Sequence, residues 1–173
     1  MINLPIMMLN ERKILLAVVG FQLALYSPAI KAEDAPAVHT IPSPIDRVVV
    51  VRLKNKTDML DGLKQAVERE KIKNAVIISG FGSVGAYHIH VVNNMASPYK
   101  DVFTKGSGPF DVLTVSGMVI AGKIHAHITL ANPRKTAGGH LEPGTSVLTF
   151  ATITLGVLSD SANLARIDDP EWR

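Results

Sequence analysis

The chain has 173 residues, 47% of them hydrophobic and 19% charged, a globular composition with no sign of disorder or of a fibrous repeat. Cysteine is absent, which excludes disulfides, thiolate zinc sites, cysteine nucleophiles and a lipoprotein anchor. The formal net charge is +3, from 18 Lys and Arg against 15 Asp and Glu; residues 1–32 hold three of those bases and one acid, so the remainder carries 15 against 14 and lacks the basic excess of a phosphate-backbone binder.

At the N-terminus, Arg12 and Lys13 precede the apolar run ILLAVVGFQLALY (Ile14 to Tyr26), followed by Ser27-Pro28 and the small residues Ala29 and Ala32. A basic start, a short apolar centre and a small-residue exit form the pattern of a secretory signal peptide over residues 1–32. The run is 13 residues long, shorter than the ~18 apolar residues of a membrane span. An uncleaved anchor is therefore the lesser alternative. The expectation is an exported protein, periplasmic or secreted, cleaved after Ala29 or Ala32.

Residues 33–45 are rich in proline and short side chains and read as an extended linker. His39 lies in it and is expected to be solvated. The domain proper is placed at 46–158. RVVVVRL (Arg47 to Leu53) is a short β-branched run suited to a buried strand. TDMLDGLKQAVEREKI then carries Thr57 or Asp58 as N-cap and Leu60, Leu63 and Val67 at helical spacing, so one face packs and the other is wet. NAVIIS (Asn74 to Ser79) reads as a strand ending in a turn at Gly80-Phe81-Gly82, and VGAYHIHVV (Val84 to Val92) as the next strand. After the connection NNMASPY come the strands FDVLTVSGMVI (Phe110 to Ile120) and KIHAHITLA, joined by Ala121-Gly122. GGHLEPGT reads as a loop, SVLTFATITLGVL (Ser146 to Leu158) as the closing strand, and residues 159–173 as a polar tail holding the only tryptophan, Trp172. One helix among some six strands predicts an α+β single domain with a mainly antiparallel sheet flanked by one amphipathic helix.

The histidines carry the chemistry. Side chains on a strand alternate between faces. In KIHAHITLA this puts Ile124, Ala126, Ile128 and Leu130 on one face and His125, His127 and Thr129 on the other. Two imidazoles leave that second face about 6.6 Å apart at the backbone, from two residues of rise. His140 follows Gly138-Gly139, a pair that lets the backbone approach a neighbour closely and bring the third ring back over the strand. Three neutral imidazoles with an open fourth position are the arrangement of catalytic zinc sites, and nitrogen ligands also suit copper, nickel or iron. The alternative is a polar surface or interface role. In VGAYHIHVV, His88 and His90 share an otherwise apolar face with Val84, Ala86 and Val92; they read as interface or hydrogen-bonded core histidines, or as an extension of the first site if the two strands pair.

Other chemistries find less support. Gly80 to Gly85 matches GxGxxG and follows a strand, yet the next segment reads as strand, so no helix dipole is there to hold a pyrophosphate. No serine or carboxylate sits in a nucleophile motif. Glu142 and Asp111 are candidates for a general base or an outer partner of a ligand, and ordinary surface carboxylates otherwise. A cupin-like metal barrel also uses HxH, but no glutamate follows shortly after His127.

The succession of strand, amphipathic helix, AVIISGFGSVG, FDVLTVSGMV, KIHAHITLA and AGGHLEPGTSVLTFATITLGVL resembles the PPC domain, the plants and prokaryotes conserved or AT-hook-associated domain, from about Arg47 to Leu158. The resemblance implies an α+β fold assembled as a homotrimer, with His125, His127 and His140 as ligands of a divalent metal, zinc being the usual guess, and a small ligand of unknown identity. Nothing in it bears on His88 or His90. Plant members accompany AT-hooks centred on Arg-Gly-Arg, which this chain lacks. With an export signal and a near-neutral mature charge, nucleic acid is not the expected partner. The competing reading is a trimeric interaction module whose histidines serve only the interface.

Overall fold

The computed structural model describes residues 35–169 and Trp172, so the signal-like segment lies outside the described residues. Within them the chain runs β1 (Ile45–Lys54), α1 (Met59–Arg69), β2 (Ala75–Val92), β3 (Asp101–Ile120), β4 (Lys123–Asn132), β5 (Lys135–Leu141) and β6 (Ser146–Leu158). The strands form one sheet in the order β1-β6-β2-β3-β4-β5, antiparallel at every pairing. β5 also pairs with the far end of β2, which closes β2, β3, β4 and β5 on one another. The fold is the expected single α+β domain.

Helix α1 begins where Asp58 turns from extended backbone and accepts a hydrogen bond from the Asp61 amide at 3.0 Å, so of the two candidate caps Asp58 is the one used. Its Met59, Leu60, Leu63 and Val67 are buried, and it packs on β1, β4 and β6. The core behind it is aliphatic, with Leu130, Ala151, Ile153 and Leu155 all fully buried. Burial of this kind stabilises by roughly 25 cal/mol per Å² of apolar surface removed from water.

Three local expectations are corrected. First, Gly80-Phe81-Gly82 does not turn: β2 runs through it as one long bent strand. A Cβ on Gly82, whose φ is +146°, would lie 2.3 Å from the Phe150 carbonyl oxygen, so the glycine serves a close strand-to-strand approach. Second, β3 begins at Asp101, well before Phe110, because the outer half of β2 needs a ladder partner and residues 101–107 supply it. Third, GGH is not a loop; it lies in β5, paired with β4.

A bulge between Val84 and Ala86 also reverses the alternation along β2. Val84 therefore joins Tyr87 and Ile89 in the core, and His88 and His90 stand on the opposite, part-exposed face, not on a face shared with Val84. The tail is less polar in practice than its composition: Ala162 and Leu164 form a second small core with Ile120, flanked by Ile41, Met118 and Leu158. The arm ahead of β1 meets the tail again through His39, whose ring stands edge-on to Trp172 at 5.2 Å.

Candidate metal centre

Strand β4 keeps the alternation read from its sequence. Ala126, Ile128 and Leu130 are buried and Ile124 packs against them, while His125 and His127 point to the other face with ring centroids 5.3 Å apart. The third imidazole arrives through strand pairing. His140 on β5 lies directly opposite His127 on β4 and directly opposite His90 on β2. Cross-strand partners project to the same side of a sheet, so closure of the four strands gathers His125, His127, His140 and His90 on one face.

Gly139 makes that closure possible. A Cβ there would lie 2.5 Å from the His90 carbonyl oxygen and 3.0 Å from Val91 Cγ1. No side chain larger than hydrogen fits without moving β5 away from β2.

The geometry is that of a ligand set. His125, His127 and His140 each offer one nitrogen, and these three atoms lie within 4.8 Å of one another. Nε2 of His125 and Nε2 of His127 are 3.2 Å apart. Two nitrogens at zinc-ligand distance on a tetrahedral ion are separated by about 3.3 Å, so this pair already has the spacing of one coordination edge. The three residues are thus a cluster able to coordinate a divalent cation.

Electrostatics favours the neutral, ligating form. Burial lowers the pKa of His127, helped by the nearby imidazoles of His125 and His90. His140 is lowered in the same way, chiefly by burial and then by His125, His90 and His127, with Glu142 pulling it back upward.

Carboxylates hold two of the rings. His125 Nδ1 is 3.0 Å from Asp168 Oδ2, and His90 Nδ1 is 2.7 Å from Glu142 Oε1. His90 stacks on His140 with centroids 4.6 Å apart, so it extends the imidazole cluster even though it lies outside the three-nitrogen set. Glu142 is fixed by its turn: buried Thr145 donates to the Glu142 carbonyl, and the Gly144 amide donates to Asp58 at the helix cap. His88 takes a separate place, its Nδ1 2.8 Å from the Pro143 carbonyl. Asp111 is exposed on β3, opposite Ser83 and Ala131, and takes no part. A cavity of about 360 Å³ opens over the cluster, lined by the four imidazoles, Gly139 and Asp168. A larger one, about 610 Å³, lies by Gly108 and the turn at Pro133, but it gathers no set of ligating side chains.

Of the residues around the cluster, Asp168 left no mark in the sequence, since an acid in a polar tail is unremarkable. Glu142 was visible from its position near His140, and His90 only from the condition that its strand pair with the others.

Comparison with known proteins agrees with this architecture. Residues 42–159 match the Plants and Prokaryotes Conserved (PCC) domain. The fold is similar to that of a metal-containing protein from Archaeoglobus fulgidus (TM-score 0.62, 22% identity, covering 72% of this chain and 89% of that one). It is also similar to a plant- and prokaryote-conserved protein from Pyrococcus horikoshii (0.57, 20%, covering 73% and 87%). A candidate DNA-binding protein from Bacteroides thetaiotaomicron shares the fold as well (0.59, 17%, covering 78% and 94%). Among curated proteins, the chain is similar to the bifunctional protein GlmU of two Synechococcus strains, 24% identical over 128 residues and 28% over 127. It spans only 18% and 19% of the length of those two relatives.

Proposed function

The chain belongs to the Plants and Prokaryotes Conserved domain family, and from that premise we propose that it is an exported, homotrimeric metal-binding domain. His125, His127 and His140 hold one divalent cation, zinc in the first instance, and leave a coordination position open to a small ligand. The observation that carries the reading is the convergence of three imidazole nitrogens within 4.8 Å from two different strands. The lowered pKa values of His127 and His140 support it, because a metal takes the neutral ring. So does the cavity above them, which is large enough to admit a small molecule. A cation held by three nitrogens supplies a Lewis-acidic centre for whatever occupies the open position.

Export is supported by the basic-apolar-small pattern of residues 1–32. Among the described residues, no helix is long and apolar enough to cross a membrane. Near-neutral mature charge and the lack of Arg-Gly-Arg speak against a nucleic-acid partner.

Protein purified without a histidine tag is compared with its His125→Ala and His140→Ala variants by elemental analysis. About one metal per chain in the parent and a loss in both variants is the expected result. Equal metal content in all three rules the site out.

A second reading has its own observation. The sheet face away from the core exposes Val48, Val50, Ile78, Phe81 and Phe150, and exposed apolar patches mark association surfaces. On that reading the domain is an assembly module that needs no ion. Solution mass and metal content measured together before and after exhaustive chelation separate the two, since the assembly module keeps its size and holds no metal in either state.

A further inference from the structure

We propose that residues 159–169 form a strap that completes the metal centre, with Asp168 as the residue that positions His125. The inference rests on the metal-binding reading above and adds to it a part from outside the family domain, whose match ends at residue 159.

The strap is anchored before it reaches the site. Ala162 and Leu164 are 7% and 3% exposed in their small core with Ile120. Asn74, itself 1% exposed, donates from Nδ2 to the Ala162 carbonyl at 2.9 Å. Lys73 Nζ donates to the Asp160 carbonyl at 3.2 Å. From these fixed points the chain runs on to β4, where Asp168 Oδ2 meets His125 Nδ1 at 3.0 Å.

That contact decides which nitrogen of His125 faces the ion. An ionised carboxylate only accepts, so the proton of the neutral ring must sit on Nδ1. The lone pair is then on Nε2, the atom 3.2 Å from His127 Nε2. A carboxylate behind a ligating imidazole fixes the ring's tautomer and orientation and raises its basicity; losing such a partner weakens metal binding by roughly 10–100-fold. Asp168 is 40% exposed at its side chain, which places the effect at the lower end. Together with His125, the same residue lines both the cavity over the imidazoles and a neighbouring one of about 300 Å³ beside Ile124 and Ala165. The strap is therefore a wall of the site as well as a support.

Cobalt(II) titration of the untagged full chain, read by its visible absorption and by zinc competition, tests this. Asp168→Ala is expected to keep one site per chain, bind about 10-fold more weakly and show altered cobalt bands. Asp168→Glu is expected to restore part of both. If Asp168→Ala binds with unchanged affinity and spectrum while His125→Ala abolishes binding, the strap inference falls and the metal reading stands. If the parent chain takes up no cobalt or zinc, both fall. A metal-free Asp168→Ala that melts well below the parent also overturns the positioning role, because the residue would then belong to the fold itself.

Discussion

His140 faces His127 directly across the β4–β5 ladder, the two rings standing nearly perpendicular at 81° with centroids 5.3 Å apart. One residue of backbone slip in β5 would send His140 to the opposite face of the sheet. The three-histidine cluster thus depends on strand register more than on loop conformation.

Gly139→Ala tests that dependence. The added methyl would press on the His90 carbonyl oxygen at 2.5 Å, and backbone cannot rotate away as a side chain can. Overpacking of this type costs about 1–3 kcal/mol. The variant is expected to unfold at lower urea and to bind zinc more weakly than the parent. Parent-like values in both measurements would mean that β5 does not need its close approach to β2.

The sequence made the β4 half of the site legible and the β5 half only in part. Strict alternation in KIHAHITLA announced both the buried face and the paired imidazoles. His140 was named through the glycines before it, although they serve a close strand pairing and not a loop. What composition could not reveal was long-range pairing. Period-two reasoning failed along β2 because the bulge after Val84 shifts the register by one residue, something no local propensity encodes. The turn expected at Gly80-Phe81-Gly82 failed for a related reason: glycine marks both chain reversals and close backbone contacts, and only the tertiary structure tells them apart. Asp168 is further removed still, since its meaning arises from the docking of a tail whose anchors are a buried Asn74 and two small-core residues.

Asn74→Ala bears on that docking. The Asn74 side chain donates to the Ala162 carbonyl and accepts from the Ala121 amide at 3.2 Å, tying the strap to the β3–β4 turn. Its removal leaves both groups short of a partner, at about 1–3 kcal/mol for a buried one. The expected result is lower global stability in denaturant together with faster proteolysis in residues 159–169. Unchanged cleavage there would mean that the strap is held by Leu164 and its neighbours alone.

Metal should stabilise the fold. Ligands drawn from two strands bind only when those strands are paired, so the ion favours the folded chain. With metal at 100 times its dissociation constant the gain is about 2.7 kcal/mol, a rise of roughly 5–10 °C in Tm for a domain of this size. Differential scanning calorimetry of chelated and zinc-loaded protein measures it. A shift that persists in His140→Ala would assign the stabilisation to another site.

Acidification should reverse that gain, and the direction follows from the two lowered histidines. His127 and His140 have folded-state pKa values below the ordinary 6.5, so between the folded and unfolded values the unfolded chain binds more protons. Stability then rises with pH through that window. Well above pH 6.5 both rings are neutral in either state and neither weakens the fold. As pH falls below 6.5 the unfolded chain is favoured progressively, until both rings are also protonated in the folded state. A bound cation steepens the change, because protons compete with it for the same nitrogens. Metal-loaded protein is therefore expected to lose its ion and its extra stability together on the acid side of 6.5, followed by thermal melts and metal retention at stepped pH. His140→Ala should show a shallower loss, with one depressed imidazole and one ligand removed. Stability that increased on acidification across this range would contradict the lowered pKa values of His127 and His140 and the burial and neighbouring imidazoles from which they arise.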